Sequence, residues 1–226
     1  KNRTFTFAVI ASLAVGISMF GTTVFLSQYM IMARGASATQ AGLMTFPMMA
    51  GLLVISTIAG ALISRYGKWK ALVVSGAALQ IVGLYLLGTI HYDTPFWQVG
   101  LYMFILGAGV GLVMQNMVLV VQNAVEPKIL GVASSSVNFF RTLGGTAGTA
   151  GLGALLAVTI PNMIADRQSE LSSAIASLGD KAAAVGASLS SGSLPTISTL
   201  PEPVRSILES IYGDGVASLF AFAAPL

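Results

Sequence analysis

Cysteine is absent, which removes a disulfide framework, a thiolate metal site and a cysteine nucleophile together. Charge is scarce as well: only 8% of the 226 residues are Asp, Glu, Lys or Arg, where a soluble domain carries roughly 25% to cover its surface. A chain this poor in charge cannot face water, so its surface must meet lipid. The single histidine, His91, leaves no set of imidazoles for a metal or acid–base centre, and no catalytic residues or metal ligands are assigned. The eleven Lys and Arg give a formal charge of +3, yet they stand singly or in one short cluster and form no basic tract, which argues against nucleic acid as a partner. What fills the chain is apolar: 55% hydrophobic residues and a mean hydropathy of +0.83. The fold class is therefore all-α, a polytopic membrane protein with membrane lipid as its first partner.

Apolar runs bounded by turn and charge signals predict five full spans at about 5–32, 38–63, 70–90, 96–124 and 130–160, with the start of a sixth at about 215–226. The first run, roughly 27 residues, is too long for the apolar core of a signal peptide. The last stops at Leu226 about a dozen residues in, where a span needs roughly 20, which predicts a chain cut inside a helix and a longer parent protein. Ser37-Ala38-Thr39-Gln40 has the form of a capping box opening the second span, and Pro47 within that span should kink it.

Basic residues in the short loops set the orientation. Lys1, Arg3, Arg65, Lys68, Lys70 and Lys128 fall on one side and Arg34 alone on the other. By the positive-inside rule, residues 64–70 and 124–129 are cytoplasmic and the long connection 161–214 is extracytoplasmic. That connection is Ala/Ser-rich over 163–186, has a flexible Gly/Ser/Pro linker from Gly186 to Pro195, and ends in a short amphipathic helix at 203–212. It holds no His, no Cys and no apolar core, which argues against a catalytic ectodomain.

Within the spans, Gly107 and Gly111, and likewise Gly144 and Gly148, recur at the spacing that lets helix backbones approach closely in lipid. Gln115 and Asn116 fall at mid-span in the fourth helix, with Gln122 and Asn123 one heptad on. They serve either as interhelical hydrogen bonders or as the lining of a substrate cavity, together with Gln28 and Tyr29 in the first span. The fifth span carries a polar and small stripe, Ser134, Asn138, Arg141, Gly145 and Gly148. Arg141 lies about 13 residues past Lys128, roughly 20 Å along the axis. A charge at that depth signals function or an ion pair, unless it snorkels back to the interface. None of the eight acidic residues falls within a predicted span, so a coupling carboxylate would have to come from outside this chain.

The segment Gly60 to Lys70, G-A-L-I-S-R-Y-G-K-W-K, resembles the loop motif of the major facilitator superfamily, G-x-L-x-D-R-x-G-R-R/K, in its C-terminal copy. Gly60, Leu62, Arg65, Gly67, Lys68 and Lys70 match or are conservatively replaced, and Ser64 stands in place of the aspartate. The stretch Gly131 to Gly148 is similar to the penultimate span of the 14-helix drug:proton antiporter subgroup, as are the G-x-G-x-G-L run from Gly107 and the P-E-P-V-R and Y-G-D-G elements of the long loop. The resemblance implies the C-terminal six-helix bundle of a multi-pass exporter in the inner, cytoplasmic membrane of a bacterium. It further implies a partner N-terminal bundle from the same protein, a small-molecule drug as substrate, and alternating access driven by the proton gradient without a cofactor. The loop glycine and its basic neighbours would then serve the conformational switch. The competing readings are a facilitator of a sugar, peptide or lipid precursor and, from another class, an intramembrane enzyme, for which no nucleophile or base is evident.

Overall fold

The computed structural model describes residues 3–67, 69–178, 197 and 200–224. Among them lie eight α-helices: α1 (Arg3–Met32), α2 (Ala38–Met44), α3 (Phe46–Tyr66), α4 (Trp69–Leu87), α5 (Phe96–Ala124), α6 (Leu130–Asp166), α7 (Gln168–Ala176) and α8 (Val204–Ala223), with a 3₁₀ turn at Pro127–Ile129. No strand occurs among the described residues. Five stretches among the described residues are long and apolar enough to cross a membrane: Thr6–Met32, Ala38–Tyr66, Trp69–Leu87, Phe96–Asn123 and Leu130–Asp166.

Three boundaries differ from the sequence reading. The second span is broken where a kink was expected. Thr45 ends α2, with its N–H and its hydroxyl both bonded to the Gly42 carbonyl, and Pro47 falls in the first turn of α3. Proline is well placed there, because the first turn has N–H groups to spare and the ring presets the backbone angle. The fifth span continues to Asp166 with Pro161 inside it. Met163 and Ile164, past the proline, pack on the main core, and that burial offsets the lost backbone bond. Finally, the predicted short helix at 203–212 and the span start at 215 are one helix, α8. Its apolar positions Val204, Ile207, Leu208, Ile211, Val216 and Leu219 are all buried, so one face runs past Gly213 and Gly215 without interruption. Glu209 and Asp214 are consequently helical residues. The linker from Gly186 to Pro195 lies outside the described residues.

Helix α5 is the axis of the bundle, packed against α3 on one side and α4 on the other, while α1 pairs with α6. These crossings run through glycine. A Cβ at Gly107 would strike the Met48 carbonyl, one at Gly51 the Phe104 carbonyl, and one at Gly111 would stand 2.6 Å from the Leu52 carbonyl. On the α4 side, a Cβ at Gly109 would come within 2.6 Å of the Gln80 backbone nitrogen. Between α1 and α6, Gly144 sits against the Leu13 carbonyl and Gly148 against Ile17. Lipid tails are as apolar as leucine, so close backbone contact of this kind holds helices together where the hydrophobic effect cannot. Outward-facing Leu53, Val54 and Ile58 on α3, and Val74, Ile81 and Tyr85 on α4, give the bundle the apolar surface a membrane requires.

Candidate functional site

Arg141 lies where α1 and α6 cross. A Cβ added at Gly16 would meet the Arg141 carbonyl, which puts the two residues at one level. Gly16 is ten residues into the span that starts at Thr6, about 15 Å along the axis, and that is half of a hydrocarbon core of about 30 Å. The guanidinium is half-buried and donates to Asn138 Oδ1 at 2.8 Å, one turn back on the same helix. Together with Ser12, Val15, Met114, Met117 and Val137 it borders a cavity of about 10 Å³ between α1, α5 and α6, room for roughly one water. Among the described residues Arg141 makes no ion pair. Arg141 is thus a mid-depth cation whose side chain bonds an amide of its own helix and no carboxylate among the described residues.

The other members of the polar set separate. Gly145 and Gly148 of the stripe are buried against α1, Ser134 is half-buried and Asn138 is exposed. Gln115, Gln122 and Asn123 are exposed on α5, as is Gln28 on α1. Asn116 is fully buried, its amide bonded to the Leu112 carbonyl and its Oδ1 without a partner among the described residues. Tyr29 turns inward, and its hydroxyl donates to the His91 carbonyl at 2.7 Å, tying α1 to the α4–α5 turn. The structure thus brings Asn138 to Arg141, splits Gln115 from Asn116, and commits Tyr29 to a backbone carbonyl.

In the loop after α3, Gly67 adopts the left-handed conformation, φ 66°, and its N–H caps the Ile63 carbonyl at 2.8 Å. A Cβ there would meet nothing within 4 Å, so the demand for glycine is conformational alone. Gly60 likewise has open space around it. Arg65 lies 5.5 Å over the Tyr66 ring and Lys70 5.6 Å over the Trp69 ring, both exposed and neither ion-paired among the described residues. Lys68 lies outside the described residues.

A second polar group was not visible in the sequence. His91 Nδ1 is 3.0 Å from Asp214 Oδ1, Arg167 Nη2 is 3.4 Å from Asp214 Oδ2, and Arg167 Nη1 donates to Ser210 Oγ at 2.7 Å. His91 and Asp214 are 123 residues apart, and nothing local in either segment signals the pairing.

Membrane-length helices joined backbone to backbone around a mid-depth arginine define a polytopic α-helical membrane protein. The sequence profile of the Major Facilitator Superfamily matches residues 1–149, and the chain belongs to that superfamily, a family of transporters and not of enzymes. An uncharacterized MFS-type transporter of Mycobacterium tuberculosis is 35% identical over 97% of this chain and 30% of its own length. The multidrug transporter protein MdtP of Bacillus subtilis is 36% identical over 74% of the chain and 31% of its length. A tetracycline resistance determinant of Streptomyces rimosus is 30% identical over 67% of the chain and 44% of its length. The chain therefore spans less than half of each of these three relatives.

Proposed function

We propose that the chain is the C-terminal membrane bundle of a proton-coupled exporter of lipophilic or cationic drugs, set in the inner membrane of a bacterium and completed by an N-terminal bundle of the same protein. The observation that carries this reading is Arg141. A fixed cation level with the middle of α1 and free of any carboxylate among the described residues needs an anionic partner, and a titrating carboxylate from the other bundle would meet that need. The printed names of the relatives, multidrug and tetracycline resistance proteins among them, support drugs as the substrate class. Exposed Gln28, Gln115 and Asn138 then line the path between bundles, and the proton gradient supplies the energy with no cofactor involved.

In proteoliposomes holding the complete protein, an imposed pH gradient should drive accumulation of a lipophilic cationic dye, and a protonophore should stop it. Transport that continues undiminished after the gradient collapses would identify a facilitator instead. The same reading fixes sidedness. In a cysteine-free background, Ser64→Cys should resist a membrane-impermeant thiol reagent in intact cells while Ser191→Cys, in the long loop, is labelled. Labelling of Ser64→Cys would invert the topology.

A further inference from the structure

We propose that the cluster around His91 is a pH-sensitive clasp, in which a protonated imidazole draws the α4–α5 turn onto α8 and loss of that proton lets the two part. Four segments converge there. The turn contributes His91, Tyr92 and Asp93, the α6–α7 junction Arg167, α7 Glu170, and α8 Ser206, Ser210 and Asp214, around an open cleft of about 450 Å³. From α1 the Tyr29 hydroxyl holds the His91 carbonyl, and Arg34, just beyond α1, donates to the carbonyl of Thr94 in the same turn. The charged groups around His91 are thus Asp93, Glu170 and Asp214 against Arg167 and the more distant Arg34.

Asp214 is the shared acceptor. Arg167 approaches one of its oxygens at 3.4 Å and His91 the other at 3.0 Å. The His91 side chain is 68% exposed, so it is open to the surrounding medium. Histidine is the side chain whose charge changes between about pH 5 and 8. Neutral, it offers Asp214 one ordinary hydrogen bond; protonated, it offers a charge-assisted one, roughly twice as strong, and a second cation beside a carboxylate-rich cleft. The clasp is therefore tighter with the imidazole protonated and weaker once that proton is lost. The pair sits at the end of a seam already closed backbone to backbone. A Cβ at Gly213 would stand 3.2 Å from the Tyr92 nitrogen, and one at Gly88 2.9 Å from the Ala221 nitrogen. A change of charge at His91 is thus transmitted directly to the docking of α8.

The test uses the complete transporter in detergent, spin-labelled at Thr89→Cys on the turn and Ser206→Cys on α8, with distances measured by pulsed electron resonance near pH 5.5 and near pH 8. Both faces then meet the same buffer, so the outcome is independent of the sidedness and of the drug-export reading. The ratio of short to long distances should fall by about two- to five-fold from the acid to the alkaline sample, the range an exposed ion pair supplies. His91→Gln should hold the alkaline ratio at both values and His91→Arg the acid ratio, while Asp214→Asn should remove the response whatever the charge at position 91. A wild-type ratio that does not move with pH, or a response that survives in His91→Gln or Asp214→Asn, overturns the clasp.

Discussion

Gly107→Ala is expected to destabilise the protein, although alanine is the better helix former by about 1 kcal/mol. The methyl group would strike the Met48 backbone carbonyl, and a carbonyl fixed in a helix has no rotamer by which to withdraw. Helices α3 and α5 would have to separate, which also loosens the contacts of Gly111 with Leu52 and of Gly51 with Phe104. Overpacking of this sort costs about 1–3 kcal/mol, enough to outweigh the gain in helix propensity. Gly151→Ala is the matched control, because a Cβ at Gly151 of α6 meets nothing within 4 Å. Thermal midpoints of the complete protein, followed by size-exclusion chromatography, should fall for Gly107→Ala and hold or rise for Gly151→Ala. Equal behaviour of the two would show that α3 and α5 do not touch as described.

The second large effect is expected at Arg141, where Arg141→Ala should abolish proton-coupled efflux and Arg141→Lys should keep part of it with an altered pH profile. Arginine is always charged in proteins, which rules it out as the proton carrier. On the proposed reading, its role would be to stabilise the ionised form of a carboxylate brought against it, holding that group ready to exchange a proton for substrate. Lysine preserves the charge but not the planar fork, which bonds Asn138 and would leave N–H groups for an incoming carboxylate, so partial function is expected. Removing the charge altogether lets such a carboxylate retain its proton to higher pH and uncouples it from substrate. Efflux and dye-driven proton release should be measured together across pH. Normal transport by Arg141→Ala at every pH would reduce the residue to an interfacial anchor and remove the coupling role.

The parts of this architecture legible in the sequence are those set by local pattern. A span is about 20 apolar residues whatever it packs against, and the capping box at Ser37 closes between residues three apart, so it is present in the structure as read. Proline at 47 marked an irregularity, but whether a helix bends or breaks depends on whether the freed carbonyls find partners; here the Thr45 N–H and hydroxyl take up the Gly42 carbonyl and the helix restarts. The start of α8 was masked because Glu209 and Asp214 interrupt the hydropathy while leaving the buried face intact. Least visible was the split between Gln115 and Asn116. Adjacent residues on a helix point about 100° apart, and only the position of the neighbouring helices decides which of the two is buried. The His91–Asp214 pair is a consequence of topology alone.

The run Gly107-Ala108-Gly109-Val110-Gly111 turns two bare faces of α5 outward at once, Gly107 and Gly111 toward α3 and Gly109 toward α4. Three helices are thereby joined into a single slab through close approaches at both faces of α5. At the α3–α5 joint the nearest atoms are backbone carbonyls, which have no rotamer by which to slip from one arrangement to another. The chain is interrupted at Thr45, the one-residue gap between α2 and α3, and Gly42 on the far side of that gap meets nothing within 4 Å, so α2 stands outside the glycine-joined unit.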